Sequence, residues 1–89
     1  MHTIPYKLVR LRDLQGLSQE QLAFFFGVSQ AAYCDWETGK NHPSWSHLNT
    51  IAAYYQLSVS ALLDVDIDGL LIHVVQIGLV KPLIRVELK

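Results

Sequence analysis

Histidine, cysteine and aspartate are the residues of this chain that could bind a metal ion or transfer a proton. Asp64, Asp66 and Asp68 alternate like the first ligands of a calcium loop, but no glutamate follows at the distance such a loop needs. No nucleophile is paired with a base, and no histidine lies at ligand spacing from Cys34 or from a carboxylate. The four histidines are His2, His42, His47 and His73. We therefore expect no metal site, no cofactor and no enzymatic activity.

The composition is that of one small folded domain with almost balanced charge. Hydrophobic residues make up 51% of the 89 residues and charged residues 17%, which excludes a disordered chain. The net charge is −1, and residues 1–63 carry four basic and four acidic side chains. Because DNA binding draws much of its affinity from phosphate neutralisation, a DNA-binding chain of this kind must place its few cations well. A dimer would double those contacts.

The sequence favours a cytoplasmic protein without membrane contact. Cys34 is the single cysteine and cannot form an intrachain disulfide. Residues 1–6 lack the charged start and apolar core of a secretory signal. The longest apolar tract, residues 69–80, is too short to span a bilayer and contains His73 and Gln76.

Five short helices are predicted in the first 63 residues, because apolar residues recur at helical spacing between capping signals. Ser18, Ser29, Ser44 and Ser58 each precede such a run, and Gln21 completes a capping box with Ser18. The predicted helices cover residues 5–15, 18–25, 29–37, 44–55 and 58–63. The expected fold class is therefore mainly α, with a five-helix domain in residues 1–63.

Residues 64–89 are predicted to form a C-terminal extension. "DVDIDG" (residues 64–69) is interpreted as a solvated linker. Two β-strands, alone or as a hairpin, are then expected in "LLIHVVQI" (70–77) and in the alternating run "LIRVELK" (83–89). A hairpin by itself is marginally stable in water, so these strands need a cover. Pairing across a dimer axis through residues 69–89 is the favoured arrangement.

Residues 8–63 resemble the Cro/phage-repressor-like helix-turn-helix family, also called XRE. The resemblance rests on "LRDLQGLSQEQLAFFFGVSQAAYCDWETGKNHPS" (11–44) followed by "LNTIAAYYQLSVSALL" (48–63). It implies a lambda-repressor-like domain in which residues 29–37 form the recognition helix. Ala23 and Gly27 match the close helix crossing and the turn, and Val28 and Trp36 match core positions under that helix. The family's members are DNA-binding transcriptional regulators.

The resemblance also implies which side chains of the recognition helix approach the bases. Gln30 can pair with adenine, Ala31 can contact a thymine methyl, and Asp35 can accept from a cytosine amino group. Cys34 lies at the margin of this set. Asp35 departs from the basic or neutral polar residue that is frequent at its position, and it also repels phosphate. The alternative for Gln30 is a solvated helix residue, and for Asp35 it is a solvated charge or a partner to a nearby residue of the helix.

Contacts to the DNA backbone and one structural ion pair follow from the same resemblance. Arg12 and Glu37 match an Arg–Glu pair that ties the first helix to the end of the recognition helix, and loss of one partner would cost roughly 3–5 kcal/mol. Arg10 is either a further phosphate contact or an exposed solubilising charge. The implied backbone contacts are Gln19, Ser29, Lys40, Asn41 and His42.

Three functions are consistent with the sequence. The first is a transcriptional regulator, most simply a repressor, that binds a palindromic operator as a homodimer. The second is an interaction module that kept the helix-turn-helix scaffold without DNA binding, which the neutral charge and Asp35 favour. The third is an antitoxin-like protein whose C-terminal segment covers a partner protein by donating a strand.

Overall fold

The computed structural model describes residues 3–79, and all regular secondary structure in that range is helical. The predicted mainly α-helical fold is confirmed, with six helices in place of five. The first five begin and end within one residue of the predicted bounds. The helices are α1 (Ile4–Gln15), α2 (Gln19–Phe26), α3 (Gln30–Thr38), α4 (Trp45–Tyr54), α5 (Val59–Asp64) and α6 (Ile67–Gln76).

Serine caps begin four of these helices. In α2, the Ser18 hydroxyl accepts a hydrogen bond from the Gln21 amide at 3.0 Å, and the Gln21 side chain accepts one from the Ser18 amide at 2.8 Å. Ser29, Ser44 and Ser58 each accept from the amide three residues later. These bonds satisfy amide groups that the first turn of a helix leaves without a partner.

The first of the two predicted C-terminal strands is wrong, because residues 70–76 belong to helix α6. Asp66, placed in a solvated linker by the sequence reading, occupies the N-cap position of this helix. Ile67, Leu70 and Val74 are buried, and their spacing is that of one helix face. A short apolar run is compatible with either a strand or a buried helix. Here the helix is favoured because its apolar face packs on the core. The second predicted strand, residues 83–89, lies outside the described residues.

Helix α6 packs against α1 and extends the core beyond residue 63. Leu70 and Val74 are fully buried and join the same cluster as Leu8 and Leu11 of α1. The other members of this cluster come from α2 to α5 and from the residue that follows α4. They are Leu22, Ala23, Phe26, Tyr33, Trp36, Ile51, Ala52, Tyr55, Val59 and Leu62.

The core also contains a buried lysine that the sequence pattern did not reveal. Lys7 in α1 is 1% exposed, and its ammonium group donates to the carbonyl oxygens of Leu62 at 3.0 Å and Leu63 at 2.7 Å. Burial lowers the pKa of Lys7, against the opposing effect of Asp64 and Asp66. The lysine therefore fastens α1 to the C-terminal carbonyls of α5, which have no partner within their own helix.

The three consecutive phenylalanines of α2 point in different directions. Phe26 is buried and makes edge contacts with Tyr54 and Tyr55. Phe25 is 52% exposed and stacks on Tyr54 with ring centroids 5.8 Å apart, while Phe24 is 80% exposed. A helix can bury only one face, so consecutive rings cannot all enter the core.

Candidate nucleic-acid interface

Helices α2 and α3 form the helix-turn-helix unit that carries the candidate interface. Gly27 ends α2 with a left-handed backbone, φ 73°, which a residue with a side chain adopts at a cost. The Val28 amide then donates to the Ala23 carbonyl at 3.0 Å and closes the turn. Ala23 is 1% exposed, which agrees with a close crossing of the two helices. The turn therefore fixes the direction in which α3 leaves α2.

The four side chains proposed to approach the bases lie on the outward side of α3. Gln30 and Ala31 are exposed, and Cys34 and Asp35 are half-buried. Tyr33 and Trp36, on the opposite side, are buried in the core. The spacing of 30, 31, 34 and 35 is that of one helix face, so these four side chains share a surface.

Asp35 is coupled to the loop that follows α3. Its carboxylate accepts a hydrogen bond from the Asn41 side-chain amide at 3.1 Å, and its carbonyl accepts from the Asn41 backbone amide at 3.3 Å. The Thr38 hydroxyl also donates to the Asp35 carbonyl, at 3.3 Å. Sequence reasoning treated Asp35 and Asn41 as separate contacts to base and backbone. Their spacing of six residues, across the end of a helix, gave no signal of this bond.

The loop from Lys40 to Pro43 brings the other predicted backbone contacts together. Lys40, Asn41 and His42 are exposed, and Pro43 is buried and anchors the end of the loop. On the following helix, α4, the ring of His47 packs against the ring of Trp36, with the ring centroids 5.1 Å apart. The loop therefore presents one cation, one amide and one imidazole beside the C-terminal end of α3.

Arg12 and Glu37 form the ion pair that joins α1 to α3. Arg12 Nε lies 2.7 Å from Glu37 Oε2, and Arg12 Nη2 donates to Glu37 Oε1 at 3.1 Å, giving a two-point contact. Arg12 Nη1 also donates to the Leu17 carbonyl at 3.2 Å. The Arg12 side chain is 20% exposed and that of Glu37 only 4%. This pair ties the C-terminal end of α3 to α1.

Glu37 also binds Gln19, one of the predicted phosphate contacts. Gln19 Nε2 donates to Glu37 Oε1 at 2.9 Å, so the side chain of the first α2 residue is tied to the end of α3. Burial by itself raises the pKa of Glu37, but the hydrogen bonds from Arg12 and Gln19 outweigh it and leave that pKa below its ordinary value. Hydrogen bonding to Glu37 raises the pKa of Arg12. The cluster is therefore ionised at neutral pH.

Two further polar residues have defined partners that bear on the interface. The Ser29 hydroxyl accepts from the Ala32 amide at 3.1 Å, so its capping role is established by geometry. Arg10 Nη1 donates to the Tyr6 hydroxyl at 2.6 Å, and the guanidinium lies 5.6 Å from the centre of the Tyr6 ring. Arg10 is thus held on the outer face of α1.

The described part of the chain offers neither a metal site nor a membrane span. Residues 3–79 contain no group of three histidine, cysteine, aspartate or glutamate side chains placed to hold a metal ion. Within the same residues, no helix has the length and apolar character required to cross a bilayer.

Comparison with known proteins assigns the family. The helix-turn-helix family model matches residues 8–69. That match covers more than half of the chain, so the chain belongs to the helix-turn-helix family, of the Cro/C1 type. The resemblance noted in the sequence is thereby confirmed. The family comprises DNA-binding regulators and not enzymes.

A curated relative gives a second point of comparison. The HTH-type transcriptional activator BcrR of Enterococcus faecalis is 39% identical over 58 residues, which are 65% of this chain and 28% of that protein. The chain thus spans 28% of the length of this relative. No solved structure gives a significant match.

Proposed function

We propose that this chain binds double-stranded DNA with α3 in the major groove and regulates transcription as a homodimer on a palindromic operator. The observation that carries the proposal is the outward face of α3, where Gln30 and Ala31 are exposed on a helix held by the Gly27 turn and by the Arg12–Glu37 pair. Helices placed in this way enter the groove with their N-terminal residues toward the base edges. Membership of the helix-turn-helix family supports the same proposal.

The loop after α3 supplies the phosphate contact in this arrangement. Lys40 is exposed there, beside Asn41 and His42. A lysine at this position neutralises a phosphate regardless of base sequence, whereas Gln30 discriminates between bases. Residues 1–63 carry four basic side chains, Lys40 included, and four acidic ones, so they have no net charge. We therefore expect one copy to bind DNA with low affinity and a second copy to be required.

Repression is the simpler regulatory outcome. A small dimer on an operator that overlaps a promoter blocks polymerase by occupancy alone, whereas activation requires a productive contact with polymerase. The relative from Enterococcus faecalis is named an activator, so an experiment must distinguish repression from activation. A reporter gene behind the recovered operator, with and without this protein, gives a fall for repression and a rise for activation.

The experiment that tests DNA binding is selection from a randomised duplex library at two salt concentrations. We expect a palindromic motif whose half-sites are about one helical turn apart. We also expect affinity to fall steeply as salt rises, because phosphate binding releases counterions. Recovery of no motif, even at low salt, would contradict the proposal.

A protein-interaction module is the second candidate, favoured by one observation. The outward face of α3 carries Asp35 and no arginine or lysine between residues 29 and 39. Such a surface attracts phosphate weakly, whereas it is suitable for contact with a protein partner. Strand donation by residues 70–76 does not fit the structure, because these residues are helical. Failure of the DNA selection would shift the assignment to this candidate.

A further inference from the structure

The loop after α3 and the first turn of α4 carry the cationic and histidine side chains of the stretch 38–63. These are Lys40, His42 and His47, and the same stretch contains no aspartate or glutamate. Lys40 and His42 are exposed on the loop, and His47 lies in the first turn of the helix that follows it. The Asp35 carboxylate of α3 is bonded to the loop at its edge. The stretch has no acid of its own, which favours an anionic partner.

Two contacts hold the ring of His47 in place. The ring packs against that of Trp36, and its Nδ1 lies 2.9 Å from the Ser44 hydroxyl oxygen. The same oxygen accepts a hydrogen bond from the His47 backbone amide at 3.2 Å. Because the oxygen already accepts that bond, we assign the hydroxyl proton to the bond with Nδ1. The proton of the neutral ring then belongs to Nε2.

The Nε2 atom of His47 is an oriented donor. The two nitrogens of an imidazole point in diverging directions, so a ring bonded to Ser44 through Nδ1 directs Nε2 away from that bond. Within residues 3–79 no group is hydrogen-bonded to Nε2, and the side chain is half-buried. A protonated ring donates from Nε2 as well. The start of α4 therefore offers one N–H donor of fixed direction in both charge states of the ring.

We propose that His47 donates from Nε2 to a phosphate of the DNA backbone beside the loop that carries Lys40. The inference rests on the proposed function, because α3 must lie in the groove for the start of α4 to meet the backbone. Phosphate oxygens accept from polar side chains irrespective of base sequence, so the contact adds affinity and fixes register. Ser44 and Trp36 act as positioning residues. They set the ring in place before DNA binds and so reduce the entropy lost on binding.

Two substitutions of His47 separate hydrogen bonding from packing, with fluorescence anisotropy of the full chain as the measurement. His47→Phe keeps a ring against Trp36 and removes both nitrogens. Its affinity for the selected duplex and for an unrelated duplex should fall by a similar factor, about threefold to tenfold. His47→Gln keeps a side-chain N–H donor, so its affinity should stay within about twofold of the parent. Ala53→Phe adds a ring at an exposed position near the other end of α4 and is the control, with unchanged affinity.

A scan of the duplex identifies the phosphate and guards against an effect on the fold. Single methylphosphonate groups, which lack the negative charge of a phosphate, are placed in turn along both strands of the selected duplex. One position in each half-site should weaken binding by the parent chain and by Lys40→Ala. The same position should have no further effect on His47→Phe, because the partner of that phosphate is already missing. Urea unfolding of His47→Phe should have the midpoint of the parent chain.

Three results would overturn the role of His47 and leave the proposed function standing. The first is equal affinity of the parent chain and His47→Phe for the selected duplex. The second is a loss in His47→Gln as large as that in His47→Phe, since the donor would then be irrelevant. The third is a methylphosphonate scan in which every position affects His47→Phe as it affects the parent. A selection that recovers no duplex would instead contradict the proposed function, and this inference with it.

Discussion

Asn41 is hydrogen-bonded to Asp35 through both its side chain and its backbone, at 3.1 Å and 3.3 Å. The bond ties the loop that carries Lys40 to the outward face of α3. Asp35 is the residue that looks least suited to a DNA surface, because a carboxylate repels phosphate. Its contact with Asn41 gives it a second task, which is to hold the loop in position.

This coupling predicts different results for two substitutions of Asp35. Asp35→Asn keeps an oxygen that can accept from Asn41 and removes the negative charge, so affinity for DNA should rise roughly threefold at low salt. Asp35→Ala removes the charge and the side-chain acceptor together, and the loop, then held to Asp35 only by the backbone bond, should loosen and cancel that gain. Fluorescence anisotropy with the selected duplex measures both. Asp13→Asn, an exposed acid on α1, is the control for net charge. Equal gains in the two Asp35 variants would contradict the positioning role.

Lys40→Ala should weaken binding to every duplex by a similar factor. The lysine is exposed on the loop after α3 and is proposed to meet phosphate, so its loss lowers the salt dependence by about one counterion per copy. Titrations of a specific and an unrelated duplex over a range of salt concentrations measure this. Loss of affinity for the specific duplex alone would mean that Lys40 contacts a base.

Glu37→Gln should destabilise the fold and change its pH dependence. Removing one partner of a mostly buried pair leaves the Arg12 charge without compensation. For a fully buried pair this lowers the free energy of unfolding by roughly 3–5 kcal/mol. We expect a smaller loss here, because the Arg12 side chain is 20% exposed. The pKa of Glu37 is lower in the folded chain than its ordinary value of 4.5. Its stabilising contribution is therefore present above pH 4.5 and is lost as the pH falls through the lower folded-state value.

Urea unfolding at several pH values measures the Glu37 effect. The parent chain should lose stability on acidification below pH 4.5 more steeply than Glu37→Gln. Glu20→Gln, an exposed residue of α2, is the control and should follow the parent chain. Parallel curves for the parent and Glu37→Gln would show that the pair does not contribute to acid sensitivity.

Lys7→Met should destabilise the domain by about 1–3 kcal/mol, because one buried and one partly buried carbonyl at the end of α5 lose their donor. Methionine keeps most of the buried chain length, so the loss reports the hydrogen bonds and not a cavity. Lys40→Met, at an exposed position, should stay within about 0.5 kcal/mol of the parent. Thermal and urea unfolding of the three proteins measure the difference.

Local signals in the sequence were sufficient to predict the first five helices, and the family resemblance supplied the helix-turn-helix arrangement. Ser18 with Gln21 and the glycine at residue 27 act through their immediate neighbours, so their roles follow from spacing alone. Residues 70–76 were misread as a strand, because only the packing of Leu70 and Val74 against α1 decides between strand and helix.

Contacts across longer separations were predicted only where the family resemblance implied them, as for the Arg12–Glu37 pair. The bond from Lys7 to the end of α5 spans 55 residues. The Asn41–Asp35 bond is closer in sequence, but it depends on how the chain turns after Gly39, where φ is 81°. No rule of residue spacing predicts either bond, whereas such a rule does predict the capping box of α2.

The binding preference of Gln30→Ala is the most direct test of the claim that the outward face of α3 contacts DNA bases. The measurement is a repeat of the duplex selection with this variant beside the parent chain. We predict that the parent yields a palindrome and that Gln30→Ala yields the same motif with preference lost at one position in each half-site, a change of about 1–3 kcal/mol per base contact. An unchanged motif, or no motif from the parent chain, would contradict the account.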